Sequence, residues 1–249
     1  MSDIFVINLE ASVDRRDNIA RQLNTLKLPF HIFPAVNGHK EQHPLFDLYD
    51  DQLSQQYRGK SLSRGQLGCY ASHYLLWQKC VENDKPIIIL EDDALIYSEP
   101  FMEFISILPT LDPSIECLRL FDNKRRAFSS WPIIEQKGLS IHKFTRGHMS
   151  TTGYYLTPNG AKKLLTHSTR WYMAVDIYMD RFWINQVECY GTVPACLTND
   201  PKFDSEIGYG SKTKRSMYCR LKRETFNLFE LCRREYHNTC FRIGMHKKK

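Results

Sequence analysis

Four consecutive apolar residues, Ile87-Ile88-Ile89-Leu90, run directly into three acids, Glu91-Asp92-Asp93. An apolar, largely β-branched run with no polar residue on either face of its two-residue period suits a strand covered on both sides, and argues against a sheet with a solvated face. Strands of this kind belong to α/β folds, in which ligand crevices form at the carboxyl ends of the strands. The run thus delivers its acids to the edge where such chemistry is built.

The flanking sequence agrees. Ile4 to Leu9 reads as a strand, and Ala11 to Lys27 carries Ile19, Leu23 and Leu26 at helical spacing. Phe30 to Val36 reads as a second strand, stopped by Asn37-Gly38, and a strand-helix-strand opening predicts parallel pairing. Ser63 is placed to cap a helix over Gln66 to Val81 whose apolar face is Leu67, Tyr70, Tyr74, Trp77 and Val81. Asn83-Asp84-Lys85-Pro86 ends that helix. Downstream, Pro100 to Leu108 and Pro158 to Leu165 suit helices, while Glu116 to Phe121, Gly153 to Thr157 and Gln186 to Val193 suit strands. No internal repeat breaks the pattern. The expected division is an α/β body over residues 1–210 and an extension over residues 211–249.

Charge sets that extension apart. The 249 residues carry a net charge of +6, but residues 211–249 hold 12 Lys and Arg against 3 Glu, leaving 22 against 25 for the body. A near-neutral body with a cationic end suggests a surface contact with anionic partners rather than general nucleic-acid binding, and no nucleic-acid partner is expected. Between Tyr218 and Tyr236, Leu221, Thr225, Leu228, Phe229 and Cys232 fall on one helical face, with Arg220, Lys222, Arg223, Arg233 and Arg234 around the rest. Two readings fit: a helix lying on an anionic inner leaflet, or a docked helix with a solvated basic side. The eight cysteines form no Cys-x-x-Cys pair, which gives zinc-ribbon and thioredoxin-like readings no support. The first residues lack the basic and long apolar regions of a secretory signal, and no apolar stretch reaches the roughly 20 residues of a spanning helix. Free thiols in a cytoplasmic protein are the expectation.

Three adjacent carboxylates repel one another and raise each other's pKa, a cost that a divalent cation removes. Oxygen ligands suit manganese or magnesium. Spacing alone leaves a solvated acidic turn as an equal alternative. Asn8 and Asp14-Arg15-Arg16 follow the first strand, where two guanidinium forks and an acid suit a diphosphate or a ribose; a surface salt-bridge cluster is the other reading. Ser72 and His73 lie on a predicted helix with Trp77 four residues beyond His73, facing phosphate or sugar hydroxyls, or simply packed in the core.

Together these segments resemble glycosyltransferase family 25, whose bacterial members include lipooligosaccharide galactosyltransferases. The resemblance rests on Val6-Ile7-Asn8-Leu9 with Asp14-Arg15-Arg16, Gly65-Gln66-Leu67-Gly68-Cys69 with Ser72-His73 and Trp77, Leu90-Glu91-Asp92-Asp93-Ala94, Gly153-Tyr154-Tyr155-Leu156-Thr157 with Gly160-Ala161, and Val175-Asp176. It implies a GT-A-like (Rossmann-type) mixed, mainly parallel sheet flanked by helices, with the basic helical tail appended. It further implies a UDP-hexose donor, most simply UDP-galactose, a Mn2+ or Mg2+ ion, inversion at the anomeric carbon, and a glycolipid or oligosaccharide acceptor such as a lipooligosaccharide core sugar. By analogy Asp93 would meet the metal with Asp92 and Glu91 beside it; Glu91 or Asp92 would meet the ribose or a bound water; and Asn8, Asp14, Arg15, Arg16, Ser72 and His73 would line the donor site. Asp176 is the candidate general base, with Asp180 one helical turn on as the runner-up. The acceptor would place the enzyme on the cytoplasmic face of the inner membrane. Two other classes remain: a non-catalytic module binding anionic glycan or nucleic acid, which would need no metal, and a metal-dependent phosphoesterase, which would call for a second Asp/His-rich cluster near the triplet.

Overall fold

In a computed structural model that describes residues 2–135, 138–203 and 217–246, the apolar run lies inside an eight-stranded sheet. The chain enters as strand β1 (Asp3–Asn8), passes through helix α1 (Val13–Thr25) and returns as β2 (Phe30–Pro34), parallel to β1. Helices α2 (Asp51–Arg58) and α3 (Arg64–Glu82) lead to β3 (Ile87–Glu91), which pairs parallel on the other side of β1. Next come β4 (Ala94–Ile96), α4 (Ser98–Ile107), β5 (Cys117–Arg119) and a hairpin of β6 (Ser130–Glu135) and β7 (Ser140–Phe144). The body closes with β8 (Gly153–Leu156), α5 (Pro158–Thr166), α6 (Val175–Met179), α7 (Phe182–Asn185), β9 (Tyr190–Val193) and β10 (Leu197–Asn199). A 30-residue helix, α8 (Met217–His246), ends the described chain.

The sheet order is β2-β1-β3-β8-β5-β9-β7-β6. Among the described strands six point one way, and β8 and β7 run against them, giving the mixed, mostly parallel sheet flanked by helices that the sequence predicts. β4 and β10 form a separate antiparallel ribbon beside it. β3 is buried on both faces: Ile87 and Ile89 pack with Phe5, Trp77 and Leu156, whereas Ile88 and Leu90 pack with Ile19, Leu23 and Phe101. All four are at most 1% exposed, and each such side chain contributes roughly 1.5–3 kcal/mol. The predicted cap of α3 is present as a reciprocal pair: Gln66 N–H donates to Ser63 Oγ and Ser63 N–H to Gln66 Oε1.

Three expectations change. The strand predicted from Gln186 begins only at Tyr190, because Gln186 takes a left-handed conformation (φ 61°) that closes α7. The β6–β7 hairpin, the β4–β10 ribbon and α2 are additional; their short segments lack a long hydrophobic period. The helical tail exists, but it does not dock through its apolar face. Leu221, Leu228 and Phe229 are 66, 61 and 59% exposed, while Glu230 and Asn238 are buried. Docking is ionic and aromatic instead: Glu230 pairs with Arg181, His237 with Glu188, and Phe226 stacks on Tyr57. The predicted boundary at residues 210 and 211, and the last three lysines, lie outside the described residues. The described cysteines are all unpaired, and no described helix is long and apolar enough to cross a membrane.

Candidate active site

Strands β2 and β3 lie on opposite sides of β1, so the chain reverses its direction of travel across the sheet at β1 and opens a crevice at the carboxyl edge. A cavity occupies that crevice, with Ile7 and Leu9 from β1, residues 35–39 after β2, and Glu91, Asp92 and Asp93 after β3. Helix α3 forms its back wall. Two glycines allow the loop after β2 to press on that helix: a Cβ on Gly68 would lie 2.4 Å from the Val36 carbonyl oxygen and 2.7 Å from the Gly38 nitrogen. A Cβ on Gly38 would lie 1.8 Å from the Arg64 carbonyl oxygen.

The three acids are treated differently. Asp92 is buried and committed, accepting from Asn8 Nδ2 at 2.7 Å and Arg15 Nη1 at 3.0 Å. Burial raises its pKa, with Asn8 and Arg15 opposing. Asp92 therefore ties β3 to β1 and to the start of α1. Glu91 Oε1 accepts from His73 Nε2 at 3.2 Å and from the Thr151 hydroxyl at 2.5 Å. Burial pushes its carboxyl up, but these donors outweigh burial and leave it below the ordinary carboxylate value. Trp77 Nε1 donates to the Tyr154 hydroxyl oxygen at 2.9 Å, and that hydroxyl lies 2.8 Å from His73 Nδ1. Trp77 can only donate, so the Tyr154 proton is free to go to His73 Nδ1, which leaves Nε2–H to donate to Glu91.

Asp93 is the unsatisfied member. Oδ2 accepts from Asn199 Nδ2 at 3.0 Å, whereas Oδ1 is buried with no hydrogen-bond partner among the described residues. Burial, then the charge of Glu91, pushes its carboxyl up to about 7. A buried, partnerless carboxylate oxygen beside a second carboxylate is a donor set that fits a hard divalent cation. Asp93 would hold it with Glu91, since Asp92 already has its partners. Cys69, His73 and Glu91 also bring ligand atoms within 4.8 Å of one another. His73 Nε2 is occupied by Glu91 there, so the oxygen pair is the better fit for manganese or magnesium.

A second cavity lies across this acidic ridge, sharing Cys69, Glu91 and Asp93 with the first and adding Lys124, residues 149–152, Asp176 and Asn199. Asp176, in the first turn of α6, opens into it. Burial, then repulsion from Asp180, raises the Asp176 pKa, as suits a base that must take up a proton. Lys124 Nζ donates to Asn199 Oδ1 at 2.7 Å, so Asn199 joins Lys124 to Asp93.

Not every predicted residue arrives. Of Asp14-Arg15-Arg16 only Arg15 faces the crevice; Asp14 is exposed in the first turn of α1, and Arg16 pairs with Asp17 at 3.2 Å. Asn8 sits behind Asp92, donating also to the Ser12 carbonyl. Ser72 lies at the cavity wall, but its hydroxyl donates to the Gly68 carbonyl and accepts from Val36 N–H, so it positions the loop. Asp180 is 2% exposed, is held by Arg119, Arg125 and the Met149 N–H, and does not line the cavity that contains Asp176. Lys124, Thr151 and Asn199 were not singled out in the sequence. Each is an isolated polar residue without a motif, and only the fold brings it to Asp93.

Residues 1–179 match the profile of glycosyltransferase family 25 (LPS biosynthesis protein). The chain belongs to that family. Among the similar proteins is the lipooligosaccharide biosynthesis protein lic2B of Haemophilus influenzae, 24% identical over 233 residues, covering 88% of this chain and 85% of that one. A glycosyltransferase 25 family member of Aedes aegypti is 30% identical over 183 residues, and human procollagen galactosyltransferase 2 is 24% identical over 171. Each of these two alignments covers 66% of this chain but only 28% and 27% of the animal protein. A solved glycosyltransferase involved in glycosylating the major capsid of PBCV-1 aligns with a TM-score of 0.32 at 12% identity, over 66% of this chain and 64% of that one. As a family 25 glycosyltransferase the chain moves a sugar from a donor to a glycan acceptor.

Proposed function

We propose that this family 25 glycosyltransferase moves galactose from UDP-galactose onto a core sugar of lipooligosaccharide or lipopolysaccharide, with inversion and with a divalent cation at Asp93 and Glu91. The observation that carries the reading is the partnerless Asp93 Oδ1 on the ridge between two cavities. The similarity to lic2B and to procollagen galactosyltransferases supports the acceptor and the donor sugar respectively. UDP lies in the crevice at β1, β2 and β3, its charge met by Arg15. A bound manganese or magnesium would neutralise charge on the diphosphate leaving group. Asp176 takes the proton of the acceptor hydroxyl as that oxygen bonds to the anomeric carbon; the carbon–phosphate oxygen bond breaks, and its electron pair leaves with UDP. Lys124, beside Asp93, adds positive charge where negative charge develops. His73, fixed by Tyr154, donates to Glu91 and holds its free oxygen toward the ridge.

The location follows from the acceptor: a cytoplasmic enzyme on the inner face of the membrane, touching it through residues 211–249. A panel of nucleotide sugars with manganese, assayed for UDP release on adding a lipooligosaccharide acceptor, tests the function. Release from UDP-galactose that depends on both metal and acceptor is expected. Metal-independent binding without turnover would point to a glycan-binding module, and release of inorganic phosphate to a phosphoesterase.

A further inference from the structure

A third cleft lies between α8 and the body, and its charge is the reverse of the acidic ridge. Arg125, Arg146, Arg181 and Arg234 line it, with only Asp180 and Glu230 as acids. Both acids are already committed. Asp180 is shared by Arg125 at 3.0 Å and Arg119 at 3.5 Å, and Glu230 is bound by Arg181 at 2.6 Å. Arg234 turns to Glu235 on its own helix at 2.8 Å. Arg146 has no side-chain hydrogen bond or ion pair among the described residues.

A guanidinium without an acceptor among the described residues, in a partly buried cleft lined by three other arginines, suits an anion, because its planar fork is matched to phosphate and carboxylate oxygens. The cleft also borders the acceptor side of the site. Gly147 packs directly on Asp180, and Met149, whose N–H donates to Asp180, lines the cavity that contains Asp176. One thin loop thus separates the arginines from the candidate base.

We propose that this cleft is an anion subsite, in which Arg146, with Arg125 and Arg234 beside it, holds a phosphate or carboxylate group carried by the acceptor while a hydroxyl of the same acceptor reaches Asp176. The proposal rests on the transferase reading and extends it to the chemical class of the acceptor, an anionic glycan.

The test uses the full chain. UDP binding with manganese is measured first, on the wild type and on Arg146→Gln and Arg146→Ala. Inorganic phosphate and, separately, acetate are then titrated at constant ionic strength with the UDP site filled. Phosphate, acetate or both should bind the wild type at one additional site and bind each variant about tenfold or more weakly, the loss expected for a hydrogen bond to a charged group. Which anion binds assigns the phosphate or the carboxylate class. Each substitution should leave the thermal midpoint unchanged or raise it, since it removes an uncompensated cation. No additional site in the wild type, equal affinity in both variants, or a fall in both midpoints would overturn the subsite. Loss of UDP binding in the wild type would instead count against the transferase reading.

Discussion

Asp93 and Asp176 are both carboxylates raised by burial and both line the second cavity, but the tasks proposed for them are opposite: Asp93 gives an oxygen to a metal and Asp176 takes up a proton. For Asp93 the folded-state value of about 7 lies above the ordinary 3.8, so it keeps a proton in the folded chain that the unfolded chain has lost. Its contribution to stability is full below about 4 and is lost as pH rises to about 7. Asp93→Asn should therefore raise the metal-free thermal midpoint at pH 8 and leave it unchanged at pH 4, while removing manganese binding; equal midpoints at pH 8 would refute the assignment. Manganese affinity in the wild type should climb through about pH 7 and then level off, because metal and proton compete for the same oxygen. Asp176→Asn should lower turnover by about 10²–10⁴-fold without changing UDP binding, the range for loss of a general base. Near-normal turnover in that variant would remove Asp176 from the mechanism. Gly68→Ala places a methyl 2.4 Å from a backbone oxygen that cannot swing away. A loss of about 1–3 kcal/mol, read by denaturant unfolding, is expected, together with weaker UDP binding as the loop after β2 is displaced.

At the scale of elements, α8 is a helix with two working sides. One side docks through Glu230, His237 and Asn238, and the other presents Leu221, Leu228, Phe229 and Ile243 to solvent. The two sides predict separable effects. Glu230→Gln leaves Arg181 buried against a neutral partner and should cost about 3–5 kcal/mol, the penalty for breaking a buried pair. Leu228→Glu with Phe229→Glu should leave stability within about 0.5 kcal/mol, because both side chains are mostly exposed, and should weaken binding to anionic vesicles. Unchanged vesicle binding at both low and high salt would end the membrane reading of this helix. Helix α3 works differently: its capping box fixes where it starts, and that start sets the positions of Gly68, Cys69 and His73 against the crevice.

For the molecule as a whole, the site is an agreement among distant segments. Chelation of divalent metal should abolish transfer and be reversed by manganese, and calorimetry should find that UDP binds far more weakly to the metal-free protein. The start of the sheet was legible because β1 and β3 are apolar runs whose lack of a polar period forces burial on both faces, because β2, a half-exposed edge strand, follows β1 through a helix, and because Ser63 marks a helix start. The acids after β3 were legible for the same reason: strand direction puts them at the carboxyl edge. Their division of labour was not. Asp92 and Asp93 are chemically identical neighbours, and only the approach of Asn8 and Arg15 to one, and of Asn199 to the other, separates a structural clamp from a free ligand. Asp180, the runner-up one turn from Asp176, could not be set aside from the sequence, because Arg119 and Arg125 reach it from β5 and the segment after it. Local sequence thus determined the strands, the helix caps and the chemistry on offer. Which side chains are left unpaired, and so able to bind or react, depended on partners as many as 106 residues apart, and only the tertiary structure could choose them.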